Sequence, residues 1–96
     1  MGYSPHSGRG PMTHRKVSIA TTAIEVSLGE LKEGMTIQNT GGSIIYIGGS
    51  DVASDDYGFR LVPSQIYEFV EVKKTFSFYA RCGAGTSTTL GVAEYA

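Results

Sequence analysis

The 96 residues are 41% apolar and 18% charged, with 13 glycines, no tryptophan and a formal net charge of −1. That is one small domain, since a second core would need roughly another 100 residues, and a multidomain enzyme is excluded. No stretch reaches the roughly 18 apolar residues of a membrane helix, and the opening MGYSPHSGRG has no apolar run of signal-peptide type, so a soluble, non-secreted chain is expected.

Residues 1–16 hold Pro5, His6, Pro11 and His14 among glycines and serines, and offer almost nothing to a core. They predict an extended, irregular arm, with the folded body over 17–96. Arg9, Arg15 and Lys16 make the arm +3, which against a total of −1 leaves −4 for the body. A basic arm on an acidic body suits a protein that assembles by charge attraction, and a solvated terminus is the plainer reading. Arg9, Arg15 and Lys16 are the arm's candidate partner-binding residues.

Glycine-punctuated runs rich in β-branched and aromatic residues follow, without helical periodicity beyond about two turns, so the body is expected to be all-β. A first strand over Val17–Leu28 changes phase: Val17 and Ile19 fall on one face, Ile24, Val26 and Leu28 on the other, which predicts a bulge or bend at Thr21 to Ala23. Met35 to Asn39 alternates with Met35 and Ile37 inward. Gly41-Gly42 is read as a tight hairpin into Ser43 to Ile47, a run apolar on both sides and so a covered central strand.

An irregular piece from Gly48 to Gly58 leads to a strand at Phe59 to Val62, and Pro63-Ser64 makes a turn. Strands are expected at Gln65 to Val72 and Thr75 to Arg81, separated by the exposed Lys73-Lys74 tip, and a final one at Ser87 to Tyr95 after Gly83-Ala84-Gly85. Such spacing predicts a single seven- to eight-stranded antiparallel β-sandwich, jelly-roll or immunoglobulin-like in order.

Few residues invite chemistry. Asp51, Asp55 and Asp56 lack the alternation and closing glutamate of a calcium loop, and solvated turn residues are the plainer reading. Gly83 to Ser87 has neither the lysine nor the following helix of a phosphate loop, and reads as a hairpin. Cys82 has no histidine in the body to act as base, and it cannot form a disulfide within the chain. Glu68 and Glu71, three apart, fall on opposite faces of one strand. No catalytic residue, metal ligand or cofactor is assigned, and a non-enzyme is expected.

Tyr46, Tyr57, Tyr67 and Tyr79, with Lys73 and Lys74, are the body's candidate partner-binding residues, because tyrosine buries area at low entropic cost while keeping its hydroxyl wet. With Arg60 and Arg81 they could instead stack single-stranded nucleic acid, but the acidic body argues against direct nucleic-acid binding.

The run Met35 to Val52, containing Ile45-Tyr46-Ile47-Gly48-Gly49-Ser50-Asp51-Val52, then Gly58-Phe59-Arg60-Leu61-Val62-Pro63, Phe78-Tyr79-Ala80 and Gly83-Ala84-Gly85-Thr86, resembles a group of small β-sandwich structural proteins of tailed bacteriophages. The resemblance covers about Val17 to Tyr95 and consists of turns and core positions. It departs at Ser64, where the pattern has a glycine after the proline, and in the longer arm. It implies a non-enzymatic subunit of the virion, assembled in the host cytoplasm. A capsid decoration or cement protein is the most concrete form, stabilising the shell, with its arm on the major capsid protein and copies of itself as further partners in a symmetric homo-oligomer, a trimer being favoured. A neck, tail or head-fibre-base component is the nearer alternative. A carbohydrate-binding sandwich using Tyr46, Tyr57 or Tyr67 with the Asp51 to Asp56 loop is the more distant one.

Overall fold

The computed structural model describes residues 12–29, 33–70, 72–73 and 75–95. Within them eight strands form: β1 (Thr13–Ile19), β2 (Ile24–Ser27), β3 (Gly34–Asn39), β4 (Ile45–Gly48), β5 (Phe59–Leu61), β6 (Ile66–Phe69), β7 (Ser77–Cys82) and β8 (Thr88–Tyr95). They make two four-stranded antiparallel sheets, ordered β1-β8-β3-β6 and β2-β7-β4-β5. This is the jelly-roll order, in which the chain alternates between sheets at every connection but one. The expected β-sandwich is present, and of the two orders left open by the sequence the strand pairing selects the jelly roll.

That topology accounts for the phase change between Ile19 and Ile24. The expected single strand over Val17–Leu28 is two strands, β1 and β2, in different sheets, and residues 20–23 carry the chain across. Ile19 faces the core from one sheet and Val26 and Leu28 from the other, so the apolar set changes parity where the chain changes sheet. Two expected hairpins are corrected for the same reason. Gly41-Gly42 links β3 to β4 and Gly83 to Ser87 links β7 to β8, and in both cases the flanking strands lie in opposite sheets. A tight glycine turn serves a sheet-to-sheet crossing as well as a hairpin, and spacing alone does not separate them. Among the described residues only β4 and β5 form a hairpin, across the long loop 49–58. There Val52 is buried and Ala53 and Asp56 exchange two backbone hydrogen bonds of 2.8 and 3.1 Å.

The core lies between the sheets. Met35, Ile37, Leu90 and Val92 face Ile45, Ile47, Leu61, Phe78, Ala80 and Cys82, all essentially removed from water. Met35 and Ile37 point inward as their alternation predicts. β4 is central, but it is covered on one face only: Ile45 and Ile47 are buried, and Tyr46 lies on the outer face.

One end of the sandwich is tied at Asn39, which is fully buried. Its side-chain amide donates to the carbonyls of Ser43 (2.7 Å) and Leu61 (2.9 Å), and its side-chain oxygen accepts from the Gly41 N–H (3.1 Å) and the Thr88 hydroxyl (2.9 Å). Four segments from both sheets thus meet on one side chain whose donors and acceptor are all used. Beside it the Val62–Gln65 turn carries Pro63 and places Ser64 at φ 72°, a type II arrangement closed by Gln65 N–H to Val62 O at 3.0 Å. A glycine fits this left-handed position freely, and serine occupies it under strain.

The two seams between the sheets close by different chemistry. Along β5 and β6, Phe59, Tyr67, Phe69, Phe76 and Phe78 form a run of rings with neighbouring centroids 4.7 to 6.4 Å apart. Along β1 and β2 the closure is polar. Arg15 Nη1 lies 2.7 Å from Glu94 Oε1, Arg15 Nη2 donates to the Ser27 carbonyl at 2.9 Å, and Glu94 Oε2 accepts the Gly29 N–H at 2.7 Å.

Candidate interaction surface

The outer face of the β2-β7-β4-β5 sheet follows from register. Inward Ile45, Ile47, Phe78 and Ala80 leave the alternate residues Tyr46, Tyr79, Arg81 and Arg60 facing out. Arg81 and Arg60 stand directly opposite Tyr46 on its two sides, and Tyr79 lies one row along, opposite Gly48 and Glu25. Tyr57, at the end of the β4–β5 loop, brings its ring to 4.9 Å from Tyr46, tilted by 46°. Arg81 is steadied by an Nε hydrogen bond to the Cys82 carbonyl at 3.0 Å, and among the described residues neither Arg81 nor Arg60 makes an ion pair. Three tyrosines and two guanidiniums free of ion pairs among the described residues, on one sheet face, match the residue types that dominate protein interfaces, offering broad apolar area, wet hydroxyls and planar donors. At one end of this face lies the loop carrying the exposed Asp51, Asp55 and Asp56.

Three of the four candidate tyrosines, Tyr46, Tyr57 and Tyr79, therefore come together. The fourth, Tyr67, faces the other way into the aromatic seam, its ring 4.7 Å from Phe59 and 4.9 Å from Phe69, so much of its area serves the fold. Lys73 is exposed in the β6–β7 connection, on no strand of the tyrosine face, and Lys74 lies outside the described residues. Arg60 and Arg81 complete the cluster. The sequence linked them to the tyrosines only through nucleic-acid stacking, because the Arg81–Tyr46–Arg60 row joins three strands and exists only once the register is known.

The candidate arm residues divide three ways. Arg9 lies outside the described residues. Arg15 is not an arm residue, because β1 begins at Thr13, and the arm–body boundary expected after Lys16 falls inside a strand paired with β8. The few apolar residues there concealed a strand whose inward position is taken by a salt-bridged arginine. Lys16 is exposed on the outer face of the β1-β8-β3-β6 sheet. With His14, Gln38 and Ile66 it borders an open depression of about 540 Å³ whose floor is Gly91 and Ala93.

The thiol of Cys82 is fully buried and directed at the Ile19 carbonyl, and burial pushes its pKa above the ordinary 9.0, the reverse of an activated nucleophile. Glu68 accepts a hydrogen bond from the Tyr95 hydroxyl, and Glu71 lies outside the described residues. No group of three or more His, Cys, Asp or Glu side chains is placed to hold a metal ion among the described residues. No helix there is long and apolar enough to cross a membrane. No family model, curated protein or solved structure matches the chain.

Proposed function

We propose that this chain is a non-enzymatic structural subunit of a tailed-bacteriophage virion, most concretely a decoration subunit that docks on the major capsid shell and stabilises it. The observation that carries this reading is the outward-facing cluster of half-buried Tyr46, Tyr79 and Arg81 with exposed Tyr57 and Arg60 on a jelly-roll sheet. The jelly roll is also an architecture of viral capsid proteins, a fold-level analogy that agrees with the resemblance of Val17 to Tyr95. With Arg15 held by Glu94, the arm's share in docking reduces to the residues before Thr13 and to Lys16 at the strand's surface.

The test is co-sedimentation with preformed shells of the phage that carries the chain. Tyr46→Ala with Arg60→Ala should lose binding by about a hundredfold while the thermal melt stays near that of the parent, as for central interface residues. Removal of residues 1–12 should weaken binding and leave the fold intact. Full-strength binding by both variants would overturn the proposal.

A carbohydrate-binding role is the second reading, favoured by the Tyr46–Tyr57 pair beside the Asp51 to Asp56 loop. It requires a glycan- or calcium-dependent rise in melting temperature, and a flat response across a glycan panel removes it.

A further inference from the structure

Among the described residues each sheet has two free edges, and they are not equivalent. β1 presents the exposed cation Lys16, so a second copy paired about it would bring like charges together. β2 has its Ser27 carbonyl occupied by Arg15. β5 is three residues long and carries Arg60.

β6 differs from all three. Four of the six large hydrophobic side chains exposed among the described residues lie on it or beside it: Ile66 (58% exposed), Val70 (46%), Tyr67 (44%) and Val62 (39%). β6 carries no cation, and the charge of its one acidic residue, Glu68, is engaged by the Tyr95 hydroxyl. Its hydrogen-bonding phase is also fixed. Asn39 N–H donates to Gln65 O, so Ile37–Tyr67 and Met35–Phe69 are the pairs that bond across to β3, and the backbone N–H and C=O groups of Ile66 and Glu68 point away from the sheet.

We infer that the free edge of β6 recognises itself, a second copy of this chain adding antiparallel about a two-fold axis at Tyr67 so that the two β1-β8-β3-β6 sheets become one. A two-fold perpendicular to the sheet keeps each side chain on its own face, and centring it on Tyr67 sets Ile66 opposite Glu68 of the second copy, and the reverse. Those are the residues whose backbone groups point outward, so the register yields two bonded pairs and four hydrogen bonds flanking a close, non-bonded Tyr67–Tyr67 pair. The two Tyr67 rings would extend the aromatic seam across the axis. Centring on Glu68 instead would oppose two carboxylates. The contact closes as a dimer, in place of the trimer expected from the sequence, and it does not depend on the virion reading.

Sedimentation equilibrium of the full chain, carried to about 1 mM because a short edge contact is weak, should give about twice the 10.2 kDa of one chain. Ile66→Lys, which puts a charge on an already exposed position, should raise the dissociation constant at least about tenfold. Ser18→Lys on β1 should leave it unchanged. Tyr67→Cys should form an intermolecular disulfide under mild oxidation, since a close non-bonded pair has a Cα separation of about 4.5 Å, within disulfide range. Ser18→Cys should not. The inference is overturned by a parent chain that stays monomeric, by a closed state other than a dimer, by a folded Ile66→Lys variant that dimerises as the parent does, or by a Tyr67→Cys variant that does not cross-link. Should Ile66→Lys fail to fold, the cross-link decides.

Discussion

Arg15 on β1 and Glu94 on β8 join the edges of the two sheets: one guanidinium nitrogen meets the Glu94 carboxylate at 2.7 Å while the other reaches the Ser27 carbonyl of the opposite sheet. Glu94 sits in an inward-facing row between Thr13 and the fully buried Met35, a position that would ordinarily be apolar. Arg15→Ala leaves that carboxylate with the Gly29 N–H but without its cation. Because the arginine side chain is 40% exposed, the expected loss is about 1 to 3 kcal/mol, below the cost of breaking a wholly buried pair. Urea unfolding of the single and double variants of Arg15 and Glu94 measures it, and additive losses would deny the coupling.

Asn39→Ala should be the more damaging change. It removes a fully buried side chain that satisfies two carbonyls, one N–H and one hydroxyl, whose partners at Gly41, Ser43 and Thr88 are half-buried. At about 1 to 3 kcal/mol for each buried polar group left unpaired, and with partial relaxation, a loss of about 3 to 5 kcal/mol is expected in chemical denaturation.

Sheet membership was the part of this fold least legible in the chain. The inward alternation of Met35 and Ile37, the positions of most strands and the all-β class are local properties, and local patterning carries them. Whether Gly41-Gly42 closes a hairpin or crosses between sheets depends on which distant strand β3 pairs with, and β3 pairs with β8, some fifty residues on. Arg15 misled for a related reason. A charged residue read alone is solvated, and its partner Glu94 is 79 positions away. The candidate surface was legible as residue types in Tyr46, Tyr57 and Tyr79. Tyr67 could not be told from them, because on an edge strand the same residue packs inward and remains partly exposed.

Ser64→Gly should stabilise the protein. Ser64 holds φ 72°, a conformation that costs an L-residue roughly 1 to 2 kcal/mol, and glycine returns part of that gain through its greater freedom when unfolded. A net gain of up to about 1 kcal/mol is expected, seen as a higher melting temperature. Ser64→Val should shift it the other way.

Alkaline pH should destabilise the chain through two groups. Burial raises the pKa of Cys82 above 9.0, and burial followed by the hydrogen bond to Glu68 raises that of Tyr95 above 10.0. Both are neutral when protonated, so the unfolded chain loses these protons first. The stability they support is complete below the unfolded values and falls as pH climbs from about 9 through 10 and beyond. Tyr95→Phe should lower stability at neutral pH through the lost hydrogen bond, yet show a shallower decline above pH 10. Melting temperatures from pH 7 to 11 compare the two slopes.

The claim that this jelly roll serves a virion is tested most directly by counting its copies in purified particles of the phage that carries it, by quantitative mass spectrometry against the major capsid protein. A decoration subunit that docks through the Tyr46 face should be present at on the order of hundreds of copies per particle, in fixed ratio to the shell. Particles that contain none of it would contradict the account.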